Sequence, residues 1–100
     1  MNDLATLNDT YRRSWKDVVF TDNLLTTIEY HRGLVQAVCD FNTFNGDNDP
    51  YEEHDFGALS FEGQKVLWKI DYYDQSLGYW CDPKDTKCRR VMTIMLASDY

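Results

Sequence analysis

The sequence predicts an α+β fold in which two helices pack on an antiparallel β-sheet of three or more strands. Three observations predict it. Apolar residues recur at helical spacing ahead of Asp40, the period switches to two after Asp55, and a mostly apolar run follows Arg90.

Leu4, Leu7, Tyr11 and Trp15 fall at i, i+3, i+7 and i+11, one stripe of a helix that begins near Asp3. Arg12, Arg13 and Lys16 gather towards its C-terminal end, where cations suit the helix dipole. Val18-Val19-Phe20 is too short for more than an edge strand or a connector. In the second helix Leu24, Ile28, Val35, Val38 and Cys39 share a face, and His31 falls on the same stripe as a hydrogen-bonded residue at the core's edge. Two starts fit it, a capping box at Thr26-Thr27-Ile28-Glu29 or a cap at Asp22 one turn earlier. Gly33 inside this helix costs about 1 kcal/mol relative to Ala.

Residues 41–51 read as loop, because Asn42, Asn45, Gly46, Asp47, Asn48, Asp49 and Pro50 are turn formers. A hairpin follows over residues 55–73. Leu59 and Phe61 alternate with Ala58 and Ser60, and Glu62-Gly63-Gln64 turns the chain. Val66, Trp68, Ile70 and Tyr72 then face one way, and Lys65, Leu67, Lys69, Asp71 and Tyr73 the other. Residues 75–87 form a second loop. Residues 90–97 read as a strand buried on both faces, with a short helix as the alternative. Trp68, Ile70, Val91 and Met95 are the expected core of the sheet.

One hundred residues make one domain, residues 1–100. Hydrophobic residues at 43% and aromatics at 15% exclude disorder as the main state. No apolar run approaches the roughly 18 residues of a membrane-spanning helix, and no basic-then-apolar leader opens the sequence. The expectation is a soluble, cytoplasmic protein. A net charge of -7 argues against direct nucleic-acid binding. Cys39, Cys81 and Cys88 are an odd count without zinc-ribbon spacing, so reduced thiols and no cofactor are expected.

The charge is segregated. Between Gly33 and Gln64 there is no Lys or Arg, while Asp40, Asp47, Asp49, Glu52, Glu53, Asp55 and Glu62 all fall there. Like charges this close repel, so such a run serves solubility or a partner. Both readings stand. The second makes Asp47, Asp49, Glu52, Glu53 and Asp55 a carboxylate surface for a basic protein, in place of nucleic-acid phosphates.

His54 lies among these acids, and a histidine between carboxylates can serve as a general base or a metal ligand. A calcium loop opened by Asp47 fails, since Glu52 stands where glycine is needed and Ala58 where the bidentate glutamate belongs. If Asp55 opens a strand, Glu53 and Asp55 share a face and His54 takes the other, which opposes a shared site. The sequence has no Gly-rich phosphate loop, nucleophile elbow or H-E-x-x-H.

Three blocks carry a resemblance: Asn48-Asp49-Pro50-Tyr51-Glu52-Glu53-His54-Asp55-Phe56-Gly57, Trp68-Lys69-Ile70-Asp71-Tyr72-Tyr73-Asp74, and Arg90-Val91-Met92-Thr93-Ile94-Met95-Leu96-Ala97 with Tyr100. Together with Leu7-Asn8-Asp9 they resemble a small proteobacterial domain family of unknown function, whose members are often carried on plasmids and other mobile elements. The chain departs from that pattern around residues 75–87, where Trp80 and Cys81 stand. The resemblance implies no activity for any residue. By analogy of charge and genomic habit it is similar to anti-defence factors.

The expected function is therefore a non-enzymatic inhibitor of a nucleic-acid-handling defence system, an anti-CRISPR or anti-restriction protein. Its partner is a basic host or competing-system protein, a CRISPR effector subunit being one candidate. Two alternatives stand beside it. One is a metal-assisted hydrolase using His54 with Asp49, Glu53 or Asp55. The other is a plasmid-maintenance or antitoxin protein that neutralises a basic toxin.

Overall fold

A computed structural model of the chain describes residues 3–47 and 49–100. Asn48, one of the expected turn formers, lies outside the described residues. The fold is α+β. Among the described residues three α-helices, α1 (Asp3–Ser14), α2 (Asp22–Thr27) and α3 (His31–Cys39), accompany four strands, β1 (Val18–Phe20), β2 (Phe56–Phe61), β3 (Gln64–Tyr73) and β4 (Arg89–Leu96). The sheet order is β1-β4-β3-β2. Among the described residues no helix is long and apolar enough to cross a membrane.

The expected antiparallel sheet is a mixed one. β2, β3 and β4 are antiparallel, but β1 pairs with β4 in parallel, Val18 opposite Met92 and Phe20 opposite Ile94. The flanks of β1 fix this register. The Met92 N–H donates to the Asp17 carbonyl at 3.1 Å, and Arg89 grips the Asp17 carboxylate through Nε and Nη2 at 2.9 and 3.1 Å.

The expected second helix is two helices, and the break has a long-range cause. Thr21 caps α2 through Oγ1, and the chain turns extended at Ile28. Tyr30 then opens α3 without a side-chain cap of its own. Glu62, in the hairpin turn, supplies the missing acceptor, taking the Glu29 and Tyr30 N–H groups at 2.9 and 2.8 Å. These bonds hold the Glu62 carboxyl below its ordinary pKa.

Val66, Trp68 and Ile70 of β3 meet Leu96, Ile94 and Met92 of β4 on the sheet face that Leu24, Ile28, Leu34 and Val38 cover. Trp68, Ile70 and Met95 are buried as expected, whereas Val91 is half-buried on the opposite face. That face carries Leu67 and Met95 at its centre, with Tyr100 leaning on Phe56. Gly57 passes directly over the Trp68 indole, so close that a methyl group there would overlap Nε1 and Cε2. His31 is exposed and its ring Nε2 lies 3.0 Å from the Leu25 carbonyl.

The stripe on α1 is rotated from the expected one. Leu4, Ala5, Asn8 and Arg12 are its buried residues, and Leu7 is 45% exposed. A polar pair thus faces inward, because the elements that cover α1 offer backbone carbonyls to it.

Candidate functional site

The site is built where α1 meets the loop between α3 and β2. Arg12 is fully buried and is satisfied in three directions. Its Nε and Nη2 donate to the carbonyls of Val38 and Phe41, each at 3.0 Å, and its Nη1 donates to Asp9 Oδ1 at 2.9 Å. The guanidinium lies over the rings of Phe44 and Trp68, 5.6 and 5.0 Å from their centroids. A buried cation is tolerated only when so paired.

Asp9 also faces His54, whose Nδ1 lies 2.9 Å from Oδ1. On its other side His54 Nε2 stands 3.5 Å from Asp49 Oδ2. The ring stacks flat on Phe44, and Phe44 meets Phe41 and Trp68 edge-on. Arg12, Asp9, His54 and Asp49 therefore follow one another in a chain of close polar contacts. A general base needs a nitrogen open to its substrate, and here both are directed at carboxylates.

The five expected acids have different places. Asp49 is buried at 6% exposure and ties the loop, accepting the Glu53 and His54 N–H groups through Oδ1 at 2.9 and 3.1 Å. It does not project with the others. Asp47 is exposed, and its N–H donates to Asn45 Oδ1. Glu52 is exposed too. It and His54 both adopt left-handed backbone, φ 56° and 57°. Such a conformation costs a non-glycine residue on the order of 1 kcal/mol. Glu53 and Asp55 are half-buried neighbours, and Glu53 is raised above its ordinary pKa, by desolvation first and by Asp55 second.

Asp55 reaches a second network. Tyr72 Oη donates to Asp55 Oδ2 at 3.3 Å, while Asn8 Nδ2 reaches both Tyr72 Oη and the Glu53 carbonyl at 2.9 Å. Arg90 Nε donates to Asn8 Oδ1 at 2.7 Å and its guanidinium covers the Tyr72 ring. Burial and the nearby acids raise the Tyr72 phenol above its ordinary pKa. Asn8, Asp9, Arg12, Phe44, Tyr72 and Arg90 were not among the expected site residues. Their signal lay in the resemblance blocks: Leu7-Asn8-Asp9 and the second and third blocks supply four of these six residues.

A cleft of about 390 Å³ opens beside His54, lined by Phe44, Asn45, Asp49, Pro50 and Glu52. Among the described residues no group of three or more His, Cys, Asp or Glu side chains is placed to hold a metal ion. The three thiols are free.

A family model described as "Protein of unknown function (DUF3768)" matches residues 20–99. The chain belongs to this family. The match takes in the loop, the hairpin and β4, and leaves α1 outside. No curated protein and no solved structure matches the chain.

Proposed function

We propose that this DUF3768 member is a non-enzymatic binding protein that presents its acidic loop to a basic partner. The observation that carries this reading is the way the loop is held. Asp49 and His54 are turned inward and pin it to α1, which leaves Asp47, Tyr51 and Glu52 on its outer side, Tyr51 at 79% exposure. A loop ordered before binding loses little entropy when a partner docks. Carboxylates grouped on it speed association with a basic surface and make binding salt-dependent. An exposed tyrosine among them suits an interface anchor.

The partner class proposed is a nucleic-acid-handling defence protein whose basic channel the acids would occupy, as in anti-CRISPR or anti-restriction inhibition carried by a mobile element. Its support is charge and analogy. Expressing the chain in cells that carry a CRISPR or restriction system should raise the efficiency of transformation by a targeted plasmid. The double reversal Asp47→Lys with Glu52→Lys should abolish that gain without lowering the melting temperature. No gain from the unaltered chain, or full gain from the reversed one, would sink the proposal. A basic toxin is the same surface's partner in the antitoxin reading, and co-expression with such a toxin tests it.

A second reading, hydrolysis at His54, is favoured by one observation, the Asp9 carboxylate on Nδ1 beside an open cleft. The direction of Nε2 towards Asp49 weighs against it. Metal analysis of purified protein and melts with and without chelator test the metal-assisted form, which a metal-free protein indifferent to chelator would exclude.

A further inference from the structure

The cleft beside His54 has a floor and a rim. Of the residues that line it Asp49 is buried, Phe44 and His54 are half-buried, and Asn45, Pro50 and Glu52 are exposed. Asp49 therefore forms the floor. Its side chain is 4% exposed, and its two oxygens are used unequally. Oδ1 accepts the Glu53 and His54 N–H groups at 2.9 and 3.1 Å, while Oδ2 meets only His54 Nε2, at 3.5 Å. A charge-assisted N–H···O bond is about 2.7–2.9 Å long, so this contact is not one. Among the described residues no hydrogen bond reaches Oδ2. A buried carboxylate oxygen without a donor is costly, and this one borders open space.

The chain supplies no cation of its own to answer it. Between Gly33 and Gln64 there is no Lys or Arg. Arg12 directs its fork at Asp9 and at the carbonyls of Val38 and Phe41. Glu53 registers the surplus of negative charge, its pKa held up by desolvation first, then by Asp55, and also by Asp49. Among the described residues no group of three or more His, Cys, Asp or Glu is placed to hold a metal ion, so an organic cation suits the floor better.

The walls choose between the organic cations. Phe44 and His54 are a parallel stack, their centroids 3.7 Å apart, and Pro50 adds apolar surface at the rim. A guanidinium is planar and weakly hydrated, packs on aromatic rings and forks onto a carboxylate. An ammonium is compact and strongly hydrated, and gains less from such walls.

We infer that the cleft is an arginine pocket: a guanidinium side chain of the basic partner enters past Glu52 and donates to Asp49 Oδ2 on the floor. The pocket deepens the basic-partner reading and rests on it for the source of the arginine. The exposed acids attract the partner, and the pocket fixes where one of its side chains seats.

The probe is N-acetyl-arginine amide, titrated into the full chain and followed by NMR. The reporters are the Glu53 and His54 amides, which bond to Asp49 Oδ1. They shift and saturate with the capped arginine. Capped citrulline, the uncharged isostere, binds at least about tenfold more weakly, and capped lysine about threefold more weakly. Asp49→Asn keeps an acceptor for both N–H groups and removes the charge, which weakens capped arginine by about tenfold. Glu52→Gln, at the exposed rim, weakens it by about twofold and serves should Asp49→Asn not fold. No saturable shift with capped arginine, or equal binding of capped citrulline, overturns the pocket. Equal binding of capped lysine overturns the choice of a guanidinium. A chain that inhibits a defence system but does not titrate with capped arginine fails the pocket and keeps the loop reading. A chain that titrates but inhibits nothing fails the defence reading and keeps the pocket.

Discussion

Phe44 and His54 stack face to face, their ring centroids 3.7 Å apart and their planes 3° from parallel. The stack joins the loop's beginning to its end, and Asp9 on α1 holds the same ring by its edge. His54→Ala removes the stack and a bond to a carboxylate, so it should cost roughly 1–3 kcal/mol of unfolding free energy. Urea denaturation measures this. His54→Asn, which tolerates left-handed backbone, should lose less than the alanine variant. Equal stability of His54→Ala and the unaltered chain would show that the loop is held without the ring.

Arg12→Met should destabilise by about 3–5 kcal/mol, because Asp9 and the Val38 and Phe41 carbonyls lose their donor together. Arg12→Lys should recover little of it. An ammonium cannot reproduce a planar fork aimed at three acceptors. Thermal melts of the two variants side by side check the point.

Gly57→Ala should destabilise by about 1–3 kcal/mol, since the added methyl overlaps the Trp68 indole in a close-packed core. Trp68→Ala should cost about 3–5 kcal/mol, as expected for a fully buried tryptophan. Denaturant melts followed by circular dichroism compare the two. A neutral Gly57→Ala would mean that β2 can lift away from the tryptophan.

Acid should act on stability in two opposite ways. Glu62, Asp17, Asp74 and Asp99 are held below their ordinary pKa values, chiefly by hydrogen bonds. Their contribution is complete above the unfolded values of 4.5 for Glu62 and 3.8 for the aspartates, and is lost as pH falls through the folded ones. Glu53 has the reverse sign. Its folded pKa lies above 4.5, so stability falls as pH rises from 4.5 through that folded value. The melting temperature should therefore peak in the weakly acidic range. Glu53→Gln should flatten the neutral side of the peak and Glu62→Gln should soften the acid side. A monotonic rise of melting temperature to neutral pH would refute the assignment for Glu53.

Much of the fold was determined by the sequence alone, because its signals are local. The period-two alternation from Leu59 to Tyr72 with Glu62-Gly63 between strands specifies the hairpin, and the apolar run after Arg90 specifies β4. The family assignment also rests on sequence. Tertiary structure alone decided what depends on partners distant in the chain. The helix break at Ile28 needs the Glu62 carboxylate, more than thirty residues away. The parallel pairing of β1 needs β4, which no pattern within Val18-Val19-Phe20 encodes. Arg12 and Asn8 look like surface residues because burial of a polar group is favourable only when acceptors await it, and those acceptors are carbonyls of Val38, Phe41 and Glu53. Asp49 and Asp47 differ by two positions and have the same side chain, yet one is sealed inside and the other exposed. The N–H groups of Glu53 and His54 make that difference, since a carboxylate goes where donors replace its water.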